Sequence, residues 1–258
     1  MNPARTASLL PPGEWFWLGQ LKYKVNLFIH IYLSTLGGIG ALFQFLPAIR
    51  RKKMILHRLN GYGVLSCLIV GNICGAIVAR RSFGGELNVQ SAYYALGLMI
   101  VLSGSIGLFY VKKDTRRHRK WMLRMVVYFA SAISGRLIMF AAASIITRIG
   151  TYYSIWRCDE VINLLGDSAV LQSPHPRCAA AGADLASVWV AVHSSVHDGP
   201  LYYASALRAT HGMGLWIALL MHVVAVEFYI QETNATNRVR VNYALEPLNL
   251  NEELPPTH

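Results

Sequence analysis

Residues 92–124 read AYYALGLMIVLSGSIGLFYVKKDTRRHRKWMLR. Twenty residues without a formal charge, 92–111, run into a thirteen-residue segment that carries seven Lys and Arg (Lys112, Lys113, Arg116, Arg117, Arg119, Lys120 and Arg124). A bilayer core of about 30 Å takes roughly 20 apolar residues in helical form, so the first part is long enough to cross lipid. Basic blocks in short loops are retained on the cytosolic side, which fixes the expected direction of crossing. Working outward, four further apolar runs are found at about 25–49, 61–78, 121–146 and 206–230. The fold class expected is therefore all-α, an integral membrane bundle of about five transmembrane helices. The second run is short and carries Gly63, Gly71 and Gly75, small residues that let helices approach closely and that place it near the bundle centre.

Composition agrees with this reading. Residues of the AVILMFWYC set make up 54% of the 258-residue chain and charged residues only 14%, far from the usual soluble balance. The 24 Lys and Arg exceed the 13 Asp and Glu, but they cluster at the ends of apolar runs. That placement makes the lipid bilayer and its anionic headgroups the expected partners, and not nucleic acid.

A second basic cluster, Arg50, Arg51, Lys52, Lys53 and Arg58, follows the first run at Pro47. With both basic loops in the cytosol, the N-terminus lies outside, and the chain divides into an interfacial segment (1–24), a four-helix membrane core (25–148), an outer loop (149–205), a fifth helix (206–230) and a cytosolic tail (231–258). Lys22, Lys24, Arg80 and Arg81 fall on the side this rule disfavours. Cys158 and Cys178 lie in the outer loop, where an oxidising compartment permits a disulfide, the alternative being two free thiols. Cys67 and Cys74 sit inside the second run and read as small apolar residues. Asn234 opens an Asn-Ala-Thr sequon in the cytosolic tail and is expected to be unmodified, while Trp15, Phe16 and Trp17 resemble an interfacial aromatic anchor. The membrane expected is the endomembrane system or the plasma membrane.

Ionisable groups at membrane depth are costly, and so are functional candidates. They are His30 in the first run, Arg136 in the fourth, and His211, His222 and Glu227 in the fifth, with His57 and His118 at the cytosolic boundary. Eleven residues separate His211 from His222, which puts them on one helix face about 16 Å apart. Two stacked levels of imidazole, His30 with His211 and His222 with His57 or His118, would suit a bis-histidine haem b protein; histidines in a bundle can equally be packing residues. Arg136 needs a counter-charge, and Glu227 is the carboxylate available within a run. The pair would be a register-fixing ion pair or part of an acid–base site. His193 and His197, with Asp198, have helical four-residue spacing within a short apolar stretch (184–196) expected to be an interfacial helix. Two ligands and one acid are fewer than a closed metal site needs, so no metal is assigned. No phosphate-binding loop, acidic diphosphate motif or nucleophile elbow is present.

Several segments together resemble a family. His57-Arg58-Leu59-Asn60-Gly61, Phe83-Gly84-Gly85, His118-Arg119-Lys120-Trp121-Met122-Leu123-Arg124, Arg136, Cys158, Cys178 and Glu227-Phe228-Tyr229-Ile230 are similar to the fungal branch of a family of multi-pass membrane proteins whose domain has no assigned function. The likeness runs over about residues 25–245, with the His-Arg-x-Trp-Met-x-Arg block its most specific part. It implies a helical membrane protein and brings no particular activity. The tail departs from the pattern, which has a Pro after the fifth helix where 232–236 stands here.

Three functions follow. One is a membrane-embedded enzyme without a cofactor, acting by proton transfer on a lipophilic molecule such as a prenylated or polyketide metabolite, with His57, His118, Arg136, His222 and Glu227 as catalytic candidates. Another is transmembrane electron transfer on haem b, using His30 and His211 together with His57 and His222. The third is a non-catalytic scaffold. His57 and His118 each precede an Arg at a basic loop edge, which suits anion contact better than iron and favours the enzyme.

Overall fold

A computed structural model of the chain describes residues 9–166, 175–180 and 184–238. The greater part of the 231–258 tail and the first residues of the 1–24 segment lie outside the described residues. Five helices are long and apolar enough to cross a membrane: α2 (Leu21–Phe45), α4 (Met54–Ala79), α5 (Leu87–Tyr110), α6 (Thr115–Ile149) and α9 (Pro200–Arg238). Shorter helices are α1 (Trp15–Leu18), α3 (Pro47–Lys52), α7 (Cys158–Leu165) and α8 (Pro176–Ala180), and a 3-10 turn spans Ser82–Gly85.

The helices outrun the apolar segments that announce them, because caps and not hydropathy set their ends. Asp114 accepts from the backbone N–H of Arg116 (2.9 Å) and Arg117 (3.1 Å), so α6 starts inside the basic block. It stops at Gly150, which takes the left-handed conformation (φ 74°). Pro200 opens α9, and that helix continues through Asn234 to Arg238, where a tail was expected from 231. Pro47 ends α2 early, since the residue before a proline is pushed to extended backbone, as Leu46 is (φ −69°, ψ 116°).

Helix α4 is the most buried of the five spans, in keeping with its expected central place. It packs between α2 and α5, while α6 packs on α5 and α9. Leu68 of α4, Ala92 and Leu96 of α5, Met125 of α6 and Leu215 of α9 share one core. The crossing of α6 and α9 is close: a Cβ at Gly214 would sit 2.9 Å from the Gly135 carbonyl oxygen. Only glycine permits this approach.

The chain is mostly helical, as expected, and the segment between α6 and α9 adds a small sheet. Strands β1 (Tyr153–Arg157) and β2 (Trp189–His193) form an antiparallel pair with Tyr153 opposite His193 and Arg157 opposite Trp189. The interfacial helix expected over 184–196 is therefore a strand, and its burial alternates strictly, Val190 and Val192 inward, Trp189 and Ala191 outward. Alternation of this kind is the strand period and not the helical one. The inner face of the sheet covers a second small core of Trp156, Cys158, Val161, Cys178 and Leu201. Cys158 and Cys178 are joined by a disulfide, while Cys67 and the buried Cys74 are free thiols. We call this layer, with the N-terminal α1, the lid; the opposite end of the bundle carries the basic loops.

Candidate functional site

Directly under the lid, His211 sits three turns into α9 and is 2% exposed. Its Nε2 lies 2.8 Å from the Tyr93 hydroxyl of α5, and its Nδ1 lies 3.1 Å from the Met139 sulfur of α6. A sulfur accepts only weakly. The tautomer that satisfies every group keeps the proton on Nδ1 and lets the Tyr93 O–H donate to Nε2. Phe83 covers the ring, stacked at 3.7 Å between centroids and 13° from parallel. To do so Phe83 adopts φ 49°, a left-handed conformation that is strained for a bulky side chain.

What holds that turn is a buried charge cluster. The Glu14 carboxylate accepts from the Phe83 backbone N–H at 2.8 Å. Arg208, 2% exposed and one turn before His211, donates to Glu160 of α7 at 2.9 Å and to the Ile155 carbonyl at 3.2 Å, and lies 3.9 Å from Glu14. Its guanidinium is stacked over the Trp156 ring at 3.6 Å. Gly84 makes room for it, since a Cβ there would fall 2.7 Å from the Arg208 side chain. Two carboxylates thus share one guanidinium out of water. Burial pushes the Glu14 carboxyl up to about 7, against the pull of Arg208.

The same cluster absorbs features that the charge rule left unplaced. Trp17 donates from its indole N–H to Glu160 at 2.8 Å and lies between Arg81 (3.8 Å) and Arg157 (4.9 Å). It is therefore a lid residue as well as an aromatic one near the membrane boundary, and Arg81 stands at this end of the bundle to stack on it.

Arg136 lies three residues before Met139 on α6, on the exposed side of that helix. His30 donates from Nδ1 to the Gly71 carbonyl at 2.8 Å, which leaves Nε2 as its lone-pair nitrogen. Gly75 creates the space for that imidazole, as a Cβ there would come within 2.7 Å of it.

The other candidates are not gathered here. Glu227 pairs with Arg124 and not with Arg136: Arg124 Nε and Nη2 donate to its two oxygens at 2.5 and 2.7 Å. The antiparallel register of α6 and α9 decides this, since it brings Arg124 opposite Glu227 and leaves Arg136 twelve residues, about 18 Å, further along the helix. His118 donates from Nδ1 to the Gly107 carbonyl at 2.7 Å, and His222 donates to the Ala218 carbonyl of its own helix at 2.8 Å. His222 Nε2 faces the Ser134 hydroxyl at 3.4 Å. At His57 the backbone carbonyl accepts from the Gln44 amide at 3.1 Å. His193 ends β2 and His197 lies in the following turn, so the helical pairing expected of them does not exist. No group of three or more His, Cys, Asp or Glu that could hold a metal ion occurs among the described residues. Tyr93, Glu14, Glu160 and Arg208 escape the sequence reading, and Phe83 enters it only as part of the Phe83-Gly84-Gly85 segment, without a role. Arg208 and Tyr93 sit inside or beside apolar runs, and the other three lie in connecting segments.

Comparison with known proteins agrees with the fold. A family model described as "Predicted membrane protein (DUF2306)" matches residues 27–165, more than half of the chain, and the chain belongs to that family. The match takes in four of the five spans together with Phe83, Tyr93, Arg136 and Glu160, and stops before α9. Among curated proteins the chain is similar to "Ava biosynthesis cluster protein G" of Aspergillus versicolor, 23% identical over 271 residues that cover 87% of this chain and 79% of that protein. No solved structure matches.

Proposed function

We propose that this membrane protein is an enzyme that moves a proton on a lipophilic small molecule, of the prenylated or polyketide kind, at the His211–Tyr93 pair beneath the lid. The hydrogen bond between these two groups carries the reading: a buried neutral imidazole bonded at 2.8 Å to a phenol is a base and an acid already in contact. In the reaction Nε2 takes a proton from an acidic carbon or phenol of the substrate. The Tyr93 hydroxyl turns to donate to the oxyanion that forms, and the proton is returned at a second position. No electrons are exchanged, so no redox partner is required. The relative from a biosynthesis cluster supports a small-molecule substrate. This reading moves the chemistry from His57, His118, His222 and Glu227 to the lid end and keeps Arg136.

The disulfide in the lid supports an orientation in which the lid faces an oxidising compartment and the basic loops contact anionic headgroups on the other side.

The test is replacement of the gene in a producing fungus by His211→Asn and Tyr93→Phe alleles. One apolar precursor should build up in both, and product should fall by about two orders of magnitude, the usual weight of a positioned acid–base group. Full product from both alleles overturns the proposal, and a haem absorption band in the purified wild-type protein would favour electron transfer.

A further inference from the structure

Arg136 occupies a position that the proposed reaction does not by itself explain. It is exposed on the outer surface of α6, flanked by the equally exposed Ile133, Leu137 and Phe140. Ten residues, about 15 Å of helix, separate it from the nearer end of the apolar run at 146. An arginine side chain cannot reach headgroups or water across that distance, and its guanidinium does not deprotonate in proteins. Among the described residues it makes no ion pair: Glu227 is held by Arg124, Glu160 and Glu14 by Arg208, Asp159 by Arg157 and Asp114 by Arg117. A permanent cation facing hydrocarbon calls for an anion that is itself dissolved in the membrane.

The surroundings give that anion a path. Helix α2 packs along α4 and meets α6 where Gly38 approaches Phe129, a Cβ at Gly38 falling 3.2 Å from that ring. His30 lies eight residues from Gly38 on α2, and Arg136 lies seven residues from Phe129 on α6, both toward the lid. The two basic residues therefore stand at one level, about 11 Å beyond the contact, with the His30 ring turned toward Gly71 and Gly75 of α4. On the other side of α6, Gly135 packs against Leu215 and Met139 against His211 of α9.

We propose that the seam between α2 and α6 is a lateral binding site for a lipophilic carboxylate or enolate, whose oxyanion pairs with Arg136 while its carbon skeleton enters from the bilayer. The inference deepens the acid–base reading and rests on it for the identity of the reacting groups, since less than one turn of α6 separates Arg136 from Met139, which touches His211.

The experiment uses the full chain in detergent micelles and a photoactivatable long-chain fatty acid, with labelled peptides mapped by mass spectrometry. Label is expected on α2 and α6 around residues 29–36 and 133–140. It should fall about ten- to a hundredfold in Arg136→Gln, the weight of a charge-assisted hydrogen bond out of water, and survive in Arg136→Lys. The matching fatty alcohol should not label these peptides. Equal labelling by acid and alcohol of the wild-type chain overturns the proposal even if Arg136→Gln fails to fold. So does equal labelling of Arg136→Gln, or complete displacement by phosphatidic acid at equimolar level, which would make this a headgroup site. His211→Asn should label like wild type, so retained labelling together with full product from that allele faults the enzyme reading alone.

Discussion

Helix α9 carries an ionic cluster near each end, and the two use the same chemistry in different physical regimes. At the lid, Arg208 and Glu160 have side chains 3% and 4% exposed, with Glu14 beside them and Trp156 stacked on the guanidinium. At the basic end, Arg124 and Glu227 form a bidentate pair that is 16% and 39% exposed, with Arg124 over the Trp121 ring at 4.6 Å. The first is a closed site with one carboxylate too many, so a proton has to balance it. The second is an open, neutral pair that ties α6 to α9. Burial, and not the identity of the charged groups, makes one cluster a lock and the other a clasp.

The contrast breaks most visibly at Arg208. Arg208→Met strands Glu160 and Glu14 without a counter-charge, and breaking a buried pair this way costs about 3–5 kcal/mol. The expected result is lid opening with the five spans intact: fast proteolysis between 150 and 200, unchanged helical circular dichroism, and a disulfide newly open to reductant. Rapid loss of helicity instead would mean that the lid and the bundle do not separate.

A smaller effect follows from Glu14. Its carboxyl is held near 7 in the folded protein against an ordinary 4.5, so the folded state binds the proton more tightly than the unfolded state. Lid stability is therefore full below about 4.5 and is lost as the pH rises through about 7. Proteolysis of the lid should be slower at acid than at alkaline pH, and Glu14→Gln should remove the difference. A lid that loosens on acidification would reverse the sign and refute the assignment.

The weakest effect belongs to Glu227→Gln. A pair this open is worth about 1 kcal/mol or less and is screened by salt. A thermal midpoint in low salt should drop by a few degrees at most, and less in high salt; a collapse as deep as that of Arg208→Met would show that the two ends are alike after all.

Much of this molecule was legible residue by residue. Each span was visible because crossing lipid is a property of the segment alone, twenty apolar residues whatever their neighbours. The disulfide of Cys158 and Cys178 could be expected from the compartment the loop should occupy. The strand at Trp189–His193 was legible too, since Trp-Val-Ala-Val-His alternates in burial, but apolar composition near a membrane drew it toward a helix. Arg136 and His211 were flagged by their cost at membrane depth. Their companions were not, because Tyr93 is uncharged, while Glu14 and Glu160 lie outside the spans and gain their meaning only from one another.

The sequence by itself determined how many times the chain crosses, which loops are basic and which positions inside the spans are expensive, because hydropathy and charge are summed along a segment. Tertiary structure alone decided the partners: Glu227 with Arg124, Glu14 and Glu160 with Arg208, Phe83 and Tyr93 with His211. Pairing depends on the rotation and register of one helix against another and on the strands that close over them. No single segment contains that information.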